Sequence, residues 1–387
     1  MNFASRRTFA LLTAMACVCL ASSLVAAGQA GQPGPAAPAP GVRPAMSDEV
    51  FKNITVLKGI PVDTFFESMG MFASSMGNDC TYCHAKAAYF DRSKFAELTP
   101  RITRARGMIA MMNTINKAYF AGEARVTCFT CHRGNNSPVR ESDLAIQYGT
   151  GEEDPNAIDF PEYTVASAES LFDKYLQAIG GRARAAAITS VIARGTYEGF
   201  DTAFSKIPVE VYTKAPNQRT MVVKMFNGDS VRAFDGVNGW LAGPDTPMPI
   251  VELSGGNLER ARLEALVTFP ATIRQAYPQW KVGRTAIDDK EVFIVQGRNG
   301  TQTPTNLYFD QAGLLVRMVR WTETPVGRVP TQIDYSDYRD VSGVKMPFKV
   351  IVSQTYMQST IELSAIQANV AVDAAKFNKP APGKADR

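Results

Sequence analysis

The sequence predicts a multidomain α + β protein: an α-helical domain, then a curved antiparallel β-sheet domain with a few helices. Three observations lead there. Over residues 48–135 apolar residues recur at helical spacing, and each helical run ends in a short Cys/His motif. From residue 167 onward short runs rich in Val, Ile, Tyr and Thr alternate with turn pairs such as Asn227-Gly228 and Asp235-Gly236. Two stretches unable to build a core separate these parts: a Pro/Ala linker at 31–47 and an acidic linker at 136–166.

The chain opens with an export signal over residues 1–30. Arg6 and Arg7 form its basic start, Phe9 to Val25 its apolar run, and small residues through Ala27 and Ala30 its cleavage region. A periplasmic or otherwise extracytoplasmic protein is expected, and a lipid anchor on Cys17 is the alternative that would tie it to a membrane. Without the signal, the four remaining cysteines all fall in the two Cys/His motifs, leaving none for a structural disulfide. A net charge of +4 over 387 residues gives no footprint for nucleic acid.

Those motifs are Cys80-Thr81-Tyr82-Cys83-His84 and Cys128-Phe129-Thr130-Cys131-His132, each a C-x-x-C-H, the attachment signature of a c-type haem. Cys80, Cys83, Cys128 and Cys131 would form thioethers, and His84 and His132 would meet the iron. The chain has only two histidines, and both occupy the last position of such a motif. A four-thiolate zinc site would leave both without a purpose, and 44 residues between Cys83 and Cys128 exceed ribbon spacing. A redox dithiol would call for a βαβ setting that this helical pattern lacks. Two covalently bound haem c groups are therefore expected, and no third histidine exists for bis-histidine ligation.

The helix before the first motif carries Phe65, Met69, Phe72 and Met76 as one stripe and ends at Gly77-Asn78. The helix before the second begins near Pro100 and carries Met108, Met111 or Met112, Ile115 and Tyr119, ending near Gly122. Each stripe offers a thioether as a second axial ligand. Met69 lies on the first stripe two turns before the motif, whereas Met76 is too close to Cys80 and Met71 points off the stripe. Spacing alone does not choose among Met108, Met111 and Met112.

The run from Met69 to His84, the block Arg106-Gly107-Met108-Ile109-Ala110-Met111 with Ile115-Asn116, and Val126 to Gly134 resemble the cytochrome c subunit of photosynthetic reaction centres. That resemblance implies a helix, a turn and C-x-x-C-H per haem, with Met69 and Met108 as the distal iron ligands. It also implies electron carriage between protein redox partners, a membrane electron-transfer complex or reaction centre among them. The four-haem members carry four such motifs and this chain two, so the resemblance is to a two-haem relative.

In the second half one amphipathic helix (Leu171, Phe172, Tyr175, Leu176, Ile179) precedes strand-like runs at 191–197, 208–213, 219–225, 231–234, 292–296, 306–309, 314–321, 331–338 and 348–354. A helix at about 257–277 interrupts them. Phe234 to Trp240 and Asp340 to Pro347 resemble LolA-like periplasmic lipoprotein carrier and sorting half-barrels, which implies room for an apolar ligand. No His or Cys falls here, and no constellation calls for catalysis, so the catalytic set is empty. The acidic linker has few apolar residues to tie it to either core, so the two domains are expected to fold separately. The expected function is electron transfer by a His/Met-ligated dihaem cytochrome rather than enzymatic, peroxidase-type chemistry. Its rival is a periplasmic binding protein for an apolar ligand in which the haems sense redox state.

Overall fold

The computed structural model describes residues 43–141, 158, 160, 166–244, 246, 248–300 and 302–382. The expected export signal, with Cys17, and most of both linkers lie outside the described residues. Among the described residues no helix is long and apolar enough to cross a membrane.

The helical segment comprises α1 (Ser47–Val50), α2 (Val62–Met76), α3 (Pro100–Tyr119) and α4 (Cys128–His132). Helix α2 stops where Gly77 turns left-handed at φ 62°, a conformation that costs a residue without Cβ little. Helix α3 starts on Thr99, whose side chain accepts from Ile102 N, with Pro100 at the first helical position. Short 3-10 turns at Cys80–Tyr82, Lys86–Tyr89 and Arg92–Ala96 join the two.

Residues 190–368 form one sheet of thirteen strands, antiparallel at every pairing. In chain order they are β1 (Ser190–Gly199), β2 (Ile207–Lys214), β3 (Gln218–Met225), β4 (Gly228–Phe234), β5 (Gly239–Ala242), β6 (Val251–Glu252), β7 (Gln279–Ile287), β8 (Lys290–Arg298), β9 (Thr305–Phe309), β10 (Leu315–Thr324), β11 (Gly327–Val341), β12 (Val344–Gln354) and β13 (Gln358–Ala368). The spatial order is β6-β5-β4-β3-β2-β1-β13-β12-β11-β10-β9-β8-β7. Two meanders, each in sequence order, are thus joined along β1 and β13. The nine expected strands are present; β5, β6, β7 and β13 are additions.

Helices α5 (Ala168–Ala178), α6 (Arg182–Ala186) and α7 (Gly255–Thr268) accompany the sheet. The helix expected to run to about residue 277 breaks earlier, at Phe269. Pro270 has no N–H to continue the ladder, and the chain goes on as a 3-10 turn to Ala276. Helix α7 touches β3 and β4 on one side and β10 on the other. Those strands lie six places apart in the sheet, roughly 29 Å if it were flat, and a helix is only about 10–12 Å across. The sheet must therefore curl around α7, which is the expected curvature.

The main core lies under α5, where Phe172, Tyr175 and Leu176 pack with Phe309, Met318 and Ile333. The helical segment does not close a core of its own. Its buried cluster is Leu57, Met71 and Met112 together with Val326 and Val329, from the turn and strand that follow β10. Both valines are fully buried. A Cβ on Gly70 of α2 would stand 2.5 Å from Thr355 Oγ1 and 2.8 Å from the Tyr356 ring, at the β12–β13 turn. Helix α2 thus lies directly on two turns of the sheet, and residues 40–387 make one compact unit.

A cost paid in the sheet should therefore be felt in the helices. Val326→Ala or Val329→Ala should each destabilise by roughly 1–3 kcal/mol. Amide exchange should speed up in α2 and α3 as well as in β10 and β11. Unchanged protection of α2 and α3 would show that the shared cluster carries no coupling.

Candidate functional site

Both C-x-x-C-H motifs form single helical turns, each capped by the residue before its first cysteine. Asp79 accepts from Thr81 N at 2.8 Å. Thr127 accepts from Thr130 N while Thr130 Oγ1 accepts from Thr127 N, a reciprocal capping box. In the first turn His84 N donates to Cys80 O at 3.0 Å, which fixes cysteines and imidazole on one turn of backbone.

The two histidines are held alike. His84 Nδ1 lies 3.0 Å from Phe95 O, and His132 Nδ1 lies 3.0 Å from Asn135 O. A carbonyl can only accept, so each Nδ1 carries a proton, which leaves Nε2 as the nitrogen able to face a metal. A carbonyl behind Nδ1 is the arrangement that orients an imidazole toward a metal. Burial pushes His84 below the usual imidazole range, despite the opposing bond from Phe95 O, and so favours the neutral ring.

All four cysteines are unpaired thiols. Burial pushes Cys128 up to about 11, and it raises Cys80 and Cys83 as well. Catalytic dithiols and zinc thiolates need the reverse, a stabilised anion. Among the described residues no three His, Cys, Asp or Glu side chains converge as a metal-binding group, so the two cysteine pairs do not assemble into one four-thiolate site. Two unpaired cysteines followed at once by an imidazole bonded back to the backbone through Nδ1 fit covalent haem attachment.

The turns are tied to each other and to their helices. Thr99 Oγ1, at the start of α3, donates to Cys83 O at 2.6 Å. The Arg101 guanidinium lies 4.1 Å over the Tyr82 ring and donates to Tyr82 O. Asn116 clamps Val126 from both sides, donating to its carbonyl at 2.8 Å and accepting from its N–H at 2.9 Å. Gly134 N donates to Ser75 O at 2.8 Å, and a Cβ on Gly77 would stand 2.4 Å from Gly134 O. The exit of the second motif is thereby locked onto the end of α2.

The methionines fall into two groups. Met71 and Met112 are buried in the cluster with Val326 and Val329. Met69, Met76 and Met108 are half-buried, and Met111 is exposed. At about 100° per residue, Phe65, Met69, Phe72 and Met76 lie roughly opposite Asp63, Glu67 and Gly70. Met69 packs with Phe65, Phe72 and Cys128 at the edge of that cluster. Tyr89, Phe90, Phe95, Leu98, Tyr119, Phe120 and Phe129, all close to the two motifs in sequence, are exposed large apolar side chains.

Sequence reasoning missed the opposite face of α2, where charge is buried. Asp63 accepts from Ser254 N and Ser254 Oγ, both at 2.6 Å, at the amino end of α7, where the helix dipole favours an anion. Burial raises Asp63, and the Ser254 and Asn257 bonds oppose the rise. One turn on, Glu67 is buried and raised by desolvation, with Arg320, Arg260 and Arg232 attracting it. Those arginines belong to a hub under α7. Glu264 lies 2.5 Å from Arg260 Nε and 3.0 Å from Arg219, on β3. Arg320, from β10, donates to Gly256 O and to Thr322 Oγ1. The only sequence signal was spacing: two acidic residues four apart on an otherwise apolar helix.

Comparison with known proteins adds the following. The family described as photosynthetic reaction centre cytochrome C subunit matches residues 13–156, and this part of the chain resembles it. The photosynthetic reaction center cytochrome c subunit of Thermochromatium tepidum is 32% identical over 149 residues, covering 38% of this chain and 36% of that protein. Its counterpart in Rubrivivax gelatinosus is 32% identical over 96 residues, covering 24% and 25%. The chain thus spans about a third of one relative's length and a quarter of the other's. Among solved structures, a LolA superfamily protein from Nitrosomonas europaea covers 56% of this chain and 99% of its own, at TM-score 0.38 and 11% identity. A DUF1329 family protein from Desulfovibrio piger covers 54% and 96%, at TM-score 0.38 and 9% identity.

The hub sets an acid-stability profile. Burial works to raise the Glu264 carboxyl, but Arg260, then Arg219 and Arg232, outweigh it and hold the group at about 2. A depressed folded-state value stabilises above the ordinary value of 4.5, and that stability is lost as pH falls toward 2. Glu264→Gln should flatten denaturant-unfolding stability across this window. At neutral pH it should cost about 3–5 kcal/mol, because Arg260 and Arg219 lose their counter-charge. The same slope in variant and wild type would rule this role out.

Proposed function

We propose that this chain is an exported dihaem c-type cytochrome that transfers electrons between redox partners in the periplasm. Residues 48–135 would be the haem-bearing domain, and residues 167–387 a half-barrel-like domain that holds it in shape. In this reading Cys80, Cys83, Cys128 and Cys131 attach the haems, while His84 and His132 ligate iron through Nε2. The observation that carries it is the pair of matched imidazoles, each presenting Nε2 from a turn with two unpaired thiols. Each bound haem would supply a one-electron ferric/ferrous couple.

The chain's own residues do the rest. Phe95 O and Asn135 O orient the two imidazoles. Met69 and Met108, half-buried on their helices, are the thioethers proposed for the opposite faces; Met71 and Met112 are taken up by the shared core. Thioether opposite imidazole holds the potential above that of bis-histidine ligation. With both faces occupied no position is open to substrate, which suits a carrier rather than an enzyme. The partners are redox proteins, and the resemblance makes a reaction centre one candidate.

A second reading has its own observation. A cavity of about 170 Å³ lies between the curled sheet and α5 and α7, lined in part by Val211, Met221, Val350 and Leu363. It supports a binding protein for an apolar ligand in which the haems report redox state.

Protein matured with a c-type haem system should carry two covalent haems per chain by intact mass and pyridine haemochrome. The double variant Cys80→Ala, Cys83→Ala should carry one. Zinc in place of covalent haem would end this reading.

The weak far-red charge-transfer band of ferric thioether-ligated haem should diminish stepwise in Met69→Ala and Met108→Ala. Met71→Ala and Met112→Ala should keep the band and cost about 2–5 kcal/mol of stability. A band lost in Met111→Ala but kept in Met108→Ala would move the ligand one turn along α3.

A further inference from the structure

The sheet cavity has a polar wall that an apolar ligand leaves unused. Arg219, Arg232, Arg260 and Glu264 line it beside the apolar side chains, Arg232 pairing directly with Met221 across β3 and β4. Glu264 is shared between Arg219 and Arg260. Arg232, on β4, has no hydrogen-bond acceptor or ion pair among the described residues, and its buried Nε is unpartnered. Arg320, Glu67 and Asp63 border the same hub, and burial raises both of those carboxyls. Burial, then the neighbouring Arg260, pulls Arg232 down to about 10 against the attraction of Glu264, which reaches it without a hydrogen bond. A buried guanidinium is normally satisfied by a carboxylate or phosphate on its fork.

We propose that the cavity binds an anionic amphiphile, a monocarboxylate with an apolar body, its head on Arg232 and its chain along Val211, Met221, Val350 and Leu363. Charge selects the head, since a neutral apolar molecule would leave the buried Arg232 Nε without an acceptor. The size suits a compact body: an engineered apolar cavity of about 150 Å³ takes a benzene ring, and the space here is about 170 Å³. Half-buried Val211, Met221, Val350, Leu363 and Ile366 continue the apolar surface beyond the enclosed part. The inference deepens the second reading and does not depend on the haem assignments.

The probe is octanoate, with octan-1-ol as its neutral counterpart, titrated calorimetrically into the full haem-loaded chain. Octanoate should bind one per chain and raise the melting temperature, with octan-1-ol at least about tenfold weaker, the worth of one charged hydrogen bond. Arg232→Gln should weaken octanoate by a similar factor, and Val211→Trp, which fills the cavity, should abolish binding. Far-UV dichroism and haem spectra check that both variants fold. Equal affinity for octanoate and octan-1-ol would overturn the inference while leaving an apolar carrier standing. Binding by neither probe would overturn both. Undiminished octanoate binding in either folded variant would place the carboxylate elsewhere and also defeat the proposal.

Discussion

The attraction between Glu264 and the arginines around it is the constraint on which the architecture rests. Arg219 comes from one meander of the sheet, Arg320 from the other, Arg260 from α7 itself, and Glu67 from α2. Buried ion pairs are a weak source of net stability, because desolvation takes back most of the Coulomb gain. They are strong in another respect: removing any member strands the rest. Four separate elements can satisfy these charges only in one mutual arrangement, and the curl of the sheet is part of it.

That hub also gives α2 two distinct faces. Asp63, Glu67, Gly70 and Met71 commit one side of the helix to the sheet and its turns. The side with Phe65, Met69 and Phe72 packs at the edge of the shared cluster, beside the second C-x-x-C-H turn. A helix fixed along its length by a carboxylate at a helix end, a charge hub and a close glycine contact has little freedom to rotate. The sulfur of Met69 is therefore placed by charges that never touch it.

Legibility in the sequence followed the range of the interactions. The two C-x-x-C-H turns, the helices before them, the stop at Gly77 and the start at Pro100 are governed by contacts within a few residues, and all were readable. So were strands with long β-branched runs. Strands β7 and β13, Gln-Trp-Lys-Val-Gly-Arg-Thr-Ala-Ile and Gln-Ser-Thr-Ile-Glu-Leu-Ser-Ala-Ile-Gln-Ala, are diluted with polar residues and Gly, and were missed. Strands β5 and β6 are too short to show a period. Nothing local marks Asp63 and Glu67 as buried, since charged residues on helices usually face solvent. Only partners brought from 165 residues and more downstream, arginines for Glu67 and Ser254 with Asn257 for Asp63, make their burial tolerable. The shared cluster with Val326 and Val329 was hidden for the same reason.

The pairing of β1 with β13 has a bearing on how the molecule comes into being. Each meander is built from neighbours in sequence, but the seam between them joins positions 180 residues apart, such as Thr189 and Asn369. Loop-closing entropy makes such a seam slow to form relative to local hairpins. Helix α2 must wait as well, since Val326 and the β12–β13 turn are translated long after it. During synthesis the two C-x-x-C-H turns thus emerge first and gain their support last. Until the final strand docks, α2 and both turns lack the contacts that fix them in the finished fold.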